Sequence, residues 1–196
     1  MGGAVSLDFV NTLDDRFAKE PKELLKSYID LARFSEDTGI LTAEQVDRLF
    51  PWSMQYKEDA EEVLKSAIVL REVISEIFYA IVQRKPVPAA PLAKLNRHVR
   101  EATQHLNLVS GKGHFEWKFD SGIDDPYAPI WPIARDAAEL LASDRLEFVR
   151  ACASKTCEWL FLDESKNHRR RWCDMTKCGN RAKAQRFYVR QKKESI

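Results

Sequence analysis

The sequence has no hydrophobic run near the roughly 20 residues that a membrane-spanning helix needs. Its N-terminus lacks a basic segment followed by a short apolar stretch, which is the pattern of an export signal. We therefore expect no membrane partner and take the cytoplasm as the default location. With 44% hydrophobic positions, the 196 residues suffice for one ordinary core and a small additional unit.

Enzyme motifs are also missing: the sequence contains no P-loop, no G-x-G-x-x-G, no H-E-x-x-H and no G-x-S-x-G. Candidates for a catalytic pocket are few, namely His98 and His105, and a polar group formed by Asp8, Asn11 and Asp14. Surface, core or capping roles explain these side chains more simply. We therefore predict that the protein is not an enzyme, with a pocket in the N-terminal part as the alternative.

Cysteine is absent from the first 151 residues, and all 4 cysteines lie between positions 152 and 178. They form two Cys-x4-Cys pairs, Cys152 with Cys157 and Cys173 with Cys178, separated by fifteen residues. Short pairs of thiolates are typical ligands of a tetrahedral structural zinc ion, whereas disulfides are rare in the cytoplasm. The spacing therefore predicts one zinc ion with four sulfur ligands and no open position. His168, between the pairs, is the alternative ligand, but a place outside the ligand set is favoured.

Charge is distributed unevenly along the chain, although the net charge is only +1. Residues 143–196 contain 14 basic against 7 acidic side chains, and residues 1–142 contain 17 against 23. An acidic body followed by a basic C-terminal unit indicates an anionic partner for the C-terminal unit alone.

Helical periodicity dominates the first 142 residues. Thr42 and Gln45 form a capping box for a helix that should end before Pro51, and Ser53 is a candidate cap for the next helix. Pro21 suits the first turn of an earlier helix. The segments with apolar residues at helical spacing are 4–16, 21–39, 42–50, 54–84, 92–99 and 131–142.

Alternating residues on either side of Ser110-Gly111-Lys112-Gly113 predict a β-hairpin over 106–109 and 115–119. The expected fold class is therefore mainly α (α+β). Residues 1–142 form a helical body with one hairpin, and residues 143–196 form a small four-cysteine zinc unit that ends in a basic helix.

The zinc unit should contain a strand-like stretch at 159–162 that covers the metal site, followed by three arginines at 169–171. These arginines are either a solvated turn or a phosphate clamp. Asn180 is the expected N-cap of a helix over 181–193. On that helix Lys183, Arg186, Arg190 and Lys193 share one side, and the side with Ala184, Phe187, Tyr188 and Gln191 is expected to dock. The candidate nucleic-acid-binding residues are therefore Arg169, Arg170, Arg171, Arg181, Lys183, Arg186, Arg190 and Lys193.

The run from Cys152 to Arg181 carries a distinctive set of residues. Besides the two cysteine pairs it contains the tetrapeptide Cys178-Gly179-Asn180-Arg181, together with Trp159, Phe161, Asp163, Ser165, Asn167, Arg170, Arg171, Trp172 and Met175. This run resembles the CGNR zinc finger family. The opening of the body, Leu7-Asp8-Phe9-Val10-Asn11-Thr12, resembles the ABATE domain that usually precedes that finger.

The resemblance implies a bacterial transcription regulator, responsive to stress, whose zinc finger binds DNA. The leading hypothesis is therefore a DNA-binding regulator in which the acidic body senses a small-molecule effector, forms a homo-oligomer or contacts another protein. The alternative is a zinc-stabilised protein-interaction module. Steep salt dependence would indicate nucleic acid, because such binding releases counterions, whereas an apolar protein contact would not show it.

Overall fold

The computed structural model describes residues 2–120 and 125–194, without the side chains of residues 189, 190 and 192–194. Within this part the chain is mainly helical and carries three small antiparallel pairs of strands. The α-helices are α1 (Val5–Val10), α2 (Tyr28–Asp37), α3 (Ala43–Gln55), α4 (Lys57–Val82), α5 (Ala89–Gln104), α6 (Ile130–Leu141) and α7 (Asn180–Glu194). The strands are β1 (Leu13–Asp14), β2 (Lys22–Glu23), β3 (Leu106–Ser110), β4 (Phe115–Phe119), β5 (Val149–Ala151) and β6 (Leu160–Leu162). A 3-10 helix (Asp144–Phe148) precedes β5, and a π-helical turn (Met175–Gly179) precedes α7.

Helix α4, which lies within the predicted segment 54–84, is the centre of the body. Its 26 residues place a continuous set of apolar side chains in the core, including Leu70, Ile74, Ile77 and Phe78, all fully buried. Helices α1, α2, α3, α5 and α6 pack around it. The mainly helical body and its predicted hairpin are thus confirmed, and the hairpin forms with Leu106 opposite Phe119. The short β1–β2 pair is a second antiparallel pair in the body that the sequence did not predict.

The first two predicted helices are shorter than their periodicity suggests. Helix α1 ends at Val10, with Asn11 as its C-cap and a turn at Asn11 and Thr12, and β1 and β2 then pair with each other. The prediction that Pro21 begins the second helix is wrong. Helix α2 starts after Ser27, where Ser27 and Asp30 form a capping box that outweighs the proline signal.

Helix α3 begins at the predicted Thr42–Gln45 capping box but runs through Pro51 to Gln55, so its predicted end is wrong. Aromatic packing holds the last turn, since Trp52 lies 5.4 Å from Tyr28 and 6.1 Å from Tyr56 between ring centroids. Ser53 is not a cap. It is buried inside α3 and donates a hydrogen bond to the Phe50 carbonyl (2.8 Å).

Among the described residues, no helix combines the length and the apolar character that crossing a bilayer requires.

A buried arginine joins α4 to the segment that follows α1. The guanidinium of Arg71, 2% exposed, forms two 2.7 Å bonds to the two carboxylate oxygens of Glu23, the last residue of β2. It also donates to Thr12 Oγ1 (3.2 Å) and to Glu72 (2.9 Å). Burial raises the pKa of Glu23, but the bonds from Arg71 and from backbone amides outweigh it, so the net pKa is lowered. The body therefore depends on an ionised Glu23.

We predict that Glu23→Gln lowers the free energy of unfolding by about 2–3 kcal/mol at pH 7, because the buried Arg71 guanidinium loses its two-bonded charged partner and keeps only the more exposed Glu72. Because the pKa of Glu23 is depressed in the folded protein, its contribution is present above the ordinary value of 4.5 and is lost as the pH falls through the folded value. The difference between the two proteins should therefore shrink below about pH 4.5. Urea denaturation of the zinc-loaded protein at several pH values measures the free energy of unfolding. Glu36→Gln, at an exposed position of α2, is the control. A variant as stable as the parent at pH 7 would contradict the prediction.

Candidate metal centre and its attachment to the body

The four cysteine sulfur atoms meet at one point, all within 4.8 Å of one another. The Sγ atoms of Cys157 and Cys173 are 3.5 Å apart, and those of Cys173 and Cys178 are 3.8 Å apart. All four cysteines are free of disulfides, and Cys152 and Cys178 are buried. A sulfur tetrahedron around zinc, with bonds of about 2.3 Å, has edges of about 3.8 Å. The cluster therefore has the size and the donor set of a structural zinc site.

Local backbone bonds place each pair of cysteines. Cys152 follows β5 and donates its backbone N–H to the Trp159 carbonyl (2.8 Å), while Cys157 closes a turn by donating to Ser154 (3.0 Å). Cys178 lies in the π-helical turn, whose N-cap Asp174 accepts from the backbone of Thr176 and Lys177. Two short turns thus present two sulfurs each, as the spacing predicts.

Electrostatics within the cluster favour a bound cation. The hydrogen bond from Cys173 is the main cause that lowers the pKa of the Cys157 thiol to about 6. The same bond raises the pKa of Cys173, and burial is the main cause that raises that of Cys178 to about 12. Like charges at these separations oppose one another, so an ionised Cys157 disfavours ionisation of Cys173 and Cys178. A divalent cation at its centre removes that repulsion and lets all four thiols ionise.

Aromatic side chains cover the sulfurs. Phe161 is fully buried and packs with Cys152 and Cys178, while Trp159 and Trp172 lie against the same group. On the same strand Leu160 and Leu162 face the opposite way and belong to the core of the body. Strand β6 therefore divides its side chains between the metal centre and the body.

The three consecutive arginines have different environments. Arg170 is held inside the unit: its guanidinium lies 4.9 Å above the Phe161 ring and donates to the backbone carbonyls of Trp172 and Cys173. Its backbone N–H donates to buried Asp163 (2.8 Å). Arg169 and Arg171 are exposed, and Arg171 lies over Trp172 at 5.4 Å.

His168 lies apart from the sulfurs. Its ring stacks on Phe148 at 3.9 Å, and Nδ1 donates to the Asp163 carbonyl (2.7 Å). The potential metal-binding group found among the described residues contains the four cysteines and not this histidine.

Helix α7 departs from the sequence prediction in two respects. The π-helical turn runs directly into it, so Asn180 is its first residue and not its N-cap, and its side chain donates to the Thr176 carbonyl (2.9 Å). The predicted docking face is wrong, because Ala184, Phe187, Tyr188 and Gln191 are all exposed. Within the described part of the chain, no apolar surface of the body buries them. Lys183 and Arg186 are exposed as predicted, while the side chains of Arg190 and Lys193 lie outside the described part.

Arg181 lies near the metal centre and donates to Thr156 (2.8 Å). It borders a cleft of about 270 Å³ between α1 and the metal centre, lined also by Asn11, Asp14 and Lys177. Asn11, which follows α1, and Asp14 of β1 thus face one cavity. Asp8, the third member of the polar group in the sequence, instead accepts from the N–H of Gly2 (2.6 Å).

Three side chains of the body, from the segment after α1 and from α4, form hydrogen bonds with the zinc unit. The carboxamide of Asn11 donates to the Leu160 carbonyl (2.8 Å) and accepts from the Leu160 N–H (2.9 Å), with all of these groups buried. Asp14 accepts from the Trp159 indole N–H (2.7 Å), and Tyr79 of α4 donates to the Glu158 carbonyl (2.8 Å). The residues just before and within β6 are therefore fixed to the body by three side chains.

Sequence reasoning noted Asn11 and Asp14 but did not identify this role, and it missed Tyr79, Arg71 and Asp163. The available signal was the polar character of Asn11 beside the fully apolar Leu7, Phe9 and Val10. A polar group so placed needs a buried partner, although the sequence does not indicate which one.

A helical body with a four-cysteine metal centre and a basic terminal helix defines a zinc-finger protein. Comparison with known families agrees. Residues 3–144 match the ABATE family, described as "Putative stress-induced transcription regulator", and residues 149–191 match the CGNR zinc finger. The chain belongs to the ABATE family and carries a CGNR zinc finger. No curated protein is similar enough to this chain to count as a match.

We predict that Asn11→Ala lowers the free energy of unfolding of the zinc-loaded protein by about 2–4 kcal/mol, because it leaves two buried backbone groups of Leu160 without partners. Chemical denaturation followed by circular dichroism measures the change. Asn96→Ala, at an exposed position of α5, is the matched control and should change stability by no more than about 0.5 kcal/mol. Equal stability of the two variants would mean that Asn11 does not hold the zinc unit to the body.

Proposed function

We propose that the protein is a DNA-binding transcription regulator of the bacterial cytoplasm. One zinc ion held by Cys152, Cys157, Cys173 and Cys178 stabilises the finger, and basic side chains of the finger and of α7 contact the phosphates of DNA. The observation that carries the proposal is the combination of a four-thiol centre with an exposed basic helix that continues directly from it.

The four-cysteine assignment is supported by the converging sulfurs and by the shielding aromatic side chains. Four thiolates leave no position for substrate, so the metal supports the fold of the finger and takes no part in chemistry. We infer that the protein acts by binding and not by catalysis.

We predict about one zinc ion per chain in protein purified without added metal, measured by mass spectrometry. Cys173→Ser should reduce the zinc content severalfold, because it removes the ligand nearest to two other sulfurs. Ser154→Ala, which changes a hydroxyl in the turn between Cys152 and Cys157, is the control and should retain its zinc. Full zinc content in Cys173→Ser would exclude the proposed ligand set.

The DNA surface is proposed from charge and exposure. Every described side chain of α7 from Arg181 to Tyr188 is exposed except that of Ala182. Basic residues of α7 number six against the single acidic Glu194. Arg169 and Arg171 are exposed on the loop before the second cysteine pair. Arg170 is in the proposed set, but its bonds to two carbonyls give it mainly a positioning role.

We predict that the double variant Lys183→Ala/Arg186→Ala binds random duplex DNA at least about tenfold more weakly at low salt, because each lost phosphate contact reduces counterion release. The slope of log affinity against log salt should fall by about 2. Fluorescence anisotropy between about 50 and 200 mM salt measures both quantities.

The control for this experiment is Lys94→Ala/Arg97→Ala, which removes the same two charges at the same spacing from exposed positions of α5 in the body. It should retain the affinity and the salt slope of the parent. An equal loss of DNA affinity in both double variants would mean that binding depends on the net charge of the protein and not on α7. Absence of binding by the parent at high micromolar concentration would refute the proposed function.

The second candidate function is a protein-interaction module. Phe187 and Tyr188 favour it, since they are 58% and 70% exposed on α7. Exposed aromatic side chains are typical of protein contacts. Weak salt dependence of partner binding, together with loss of binding in Phe187→Ala, would support this second function over the first.

The acidic body is proposed to regulate the finger by binding a small-molecule effector or another protein. The bonds from Asn11, Asp14 and Tyr79 to residues 158–160 give a physical route, because a change in α1 or α4 would reach the finger directly.

A further inference from the structure

The β3–β4 hairpin presents an apolar face to solvent. Leu108 lies opposite Trp117 in the register, and Ser110 lies opposite Phe115. Leu108, Phe115 and Trp117 are 56%, 71% and 57% exposed, although they lie side by side on one face. Such a cluster of large apolar side chains is typical of an interaction surface.

The outer edge of β4 is open in the described structure. At the ends of the hairpin, Gly111 donates to the His114 carbonyl and Asp120 donates to the His105 carbonyl. Hydrogen-bonded pairs alternate along an antiparallel ladder, so Glu116 and Lys118 pair inward with β3. The N–H and C=O groups of Phe115, Trp117 and Phe119 therefore point away from β3. No hydrogen bond from the described part of the chain outside the hairpin reaches them.

The sequence of β4, Phe-Glu-Trp-Lys-Phe, is complementary to itself in the antiparallel sense. When a second copy is aligned around Trp117, Glu116 lies opposite Lys118 of the other copy, and Phe115 lies opposite Phe119. Within one chain Glu116 and Lys118 are already on the same face, with their charged atoms 2.8 Å apart. Opposite charges and aromatic pairs placed across neighbouring strands stabilise their pairing.

We propose that two copies of this chain form a dimer by antiparallel pairing of their β4 strands, with the two Trp117 side chains adjacent on the two-fold axis. The pairing joins two hairpins into a four-stranded sheet. Its apolar face then extends without interruption from Leu108 of one copy through both Trp117 side chains to the other Leu108. Such an interface uses the same surface on both copies, so it closes as a dimer and does not propagate.

The test uses charge reversal in the full-length, zinc-loaded protein. In Glu116→Lys, the introduced lysine of each copy lies opposite Lys118 of the other, and Lys118→Glu creates the equivalent pair of acidic contacts. Each single variant should self-associate at least about tenfold more weakly than the parent, because like charges directly opposite oppose strand pairing. Sedimentation equilibrium over a range of concentrations measures this change, with 22.6 kDa as the mass of the monomer. Circular dichroism verifies that each variant is folded.

An equimolar mixture of Glu116→Lys and Lys118→Glu should recover the dimer, because both β4 lysines of the first variant then lie opposite glutamates of the second. The double variant Glu116→Lys/Lys118→Glu should also dimerise. The mixture distinguishes contacts between chains from the ion pair within one chain, since neither variant regains the internal pair.

Three results would overturn the proposal. A parent that stays at 22.6 kDa at every concentration would mean that Lys118 protects an open edge against pairing. Single variants that dimerise as the parent does would place the interface elsewhere. Failure of both the mixture and the double variant to recover the dimer would exclude this register.

Discussion

The bond between the Asn11 carboxamide and the backbone of Leu160 determines how the two parts of the molecule are joined. Asn11 satisfies both the N–H and the carbonyl of Leu160, as a neighbouring strand would. Strand β6 can therefore lie against α1 with its backbone buried. With β6 in this position, Leu160 and Leu162 enter the core of the body, while Phe161 turns towards the sulfur atoms.

This arrangement addresses a general difficulty of small metal-binding units, which have too few residues to bury a core of their own. Here the unit has two sources of stability. The cysteine cluster, with Phe161, Trp159 and Trp172 around it, provides a local one. The body provides the other through β5 and β6, whose Val149, Leu160 and Leu162 are almost fully buried. Helix α7 receives little of this support, and its described side chains remain mostly in solvent.

Much of the fold and the metal centre was predictable, because each depends on a signal within a short stretch of chain. The periodicity of α4, the capping box at Thr42 and the paired cysteines are signals of that kind. The errors arose where distant residues decide the outcome. Packing of Trp52 against Tyr28 carries α3 past Pro51, and Phe187 stays exposed because its predicted docking side meets no opposing surface in the described part of the chain. Arg71 and Tyr79 could not be assigned, since their partners lie 48 and 79 positions away.

The division of side chains on β6 also limits how this finger can be moved between proteins by gene fusion or by engineering. Removing residues 149–191 would take Leu160 and Leu162 out of the core of the body and leave a cavity there. In the excised finger the same two leucines would be exposed to water. A functional transplant would need the α1 segment with Asn11 and Asp14 as well, although these residues lie at the other end of the chain. We therefore expect the finger and the body to be inherited together and not to be exchanged between proteins as separate domains.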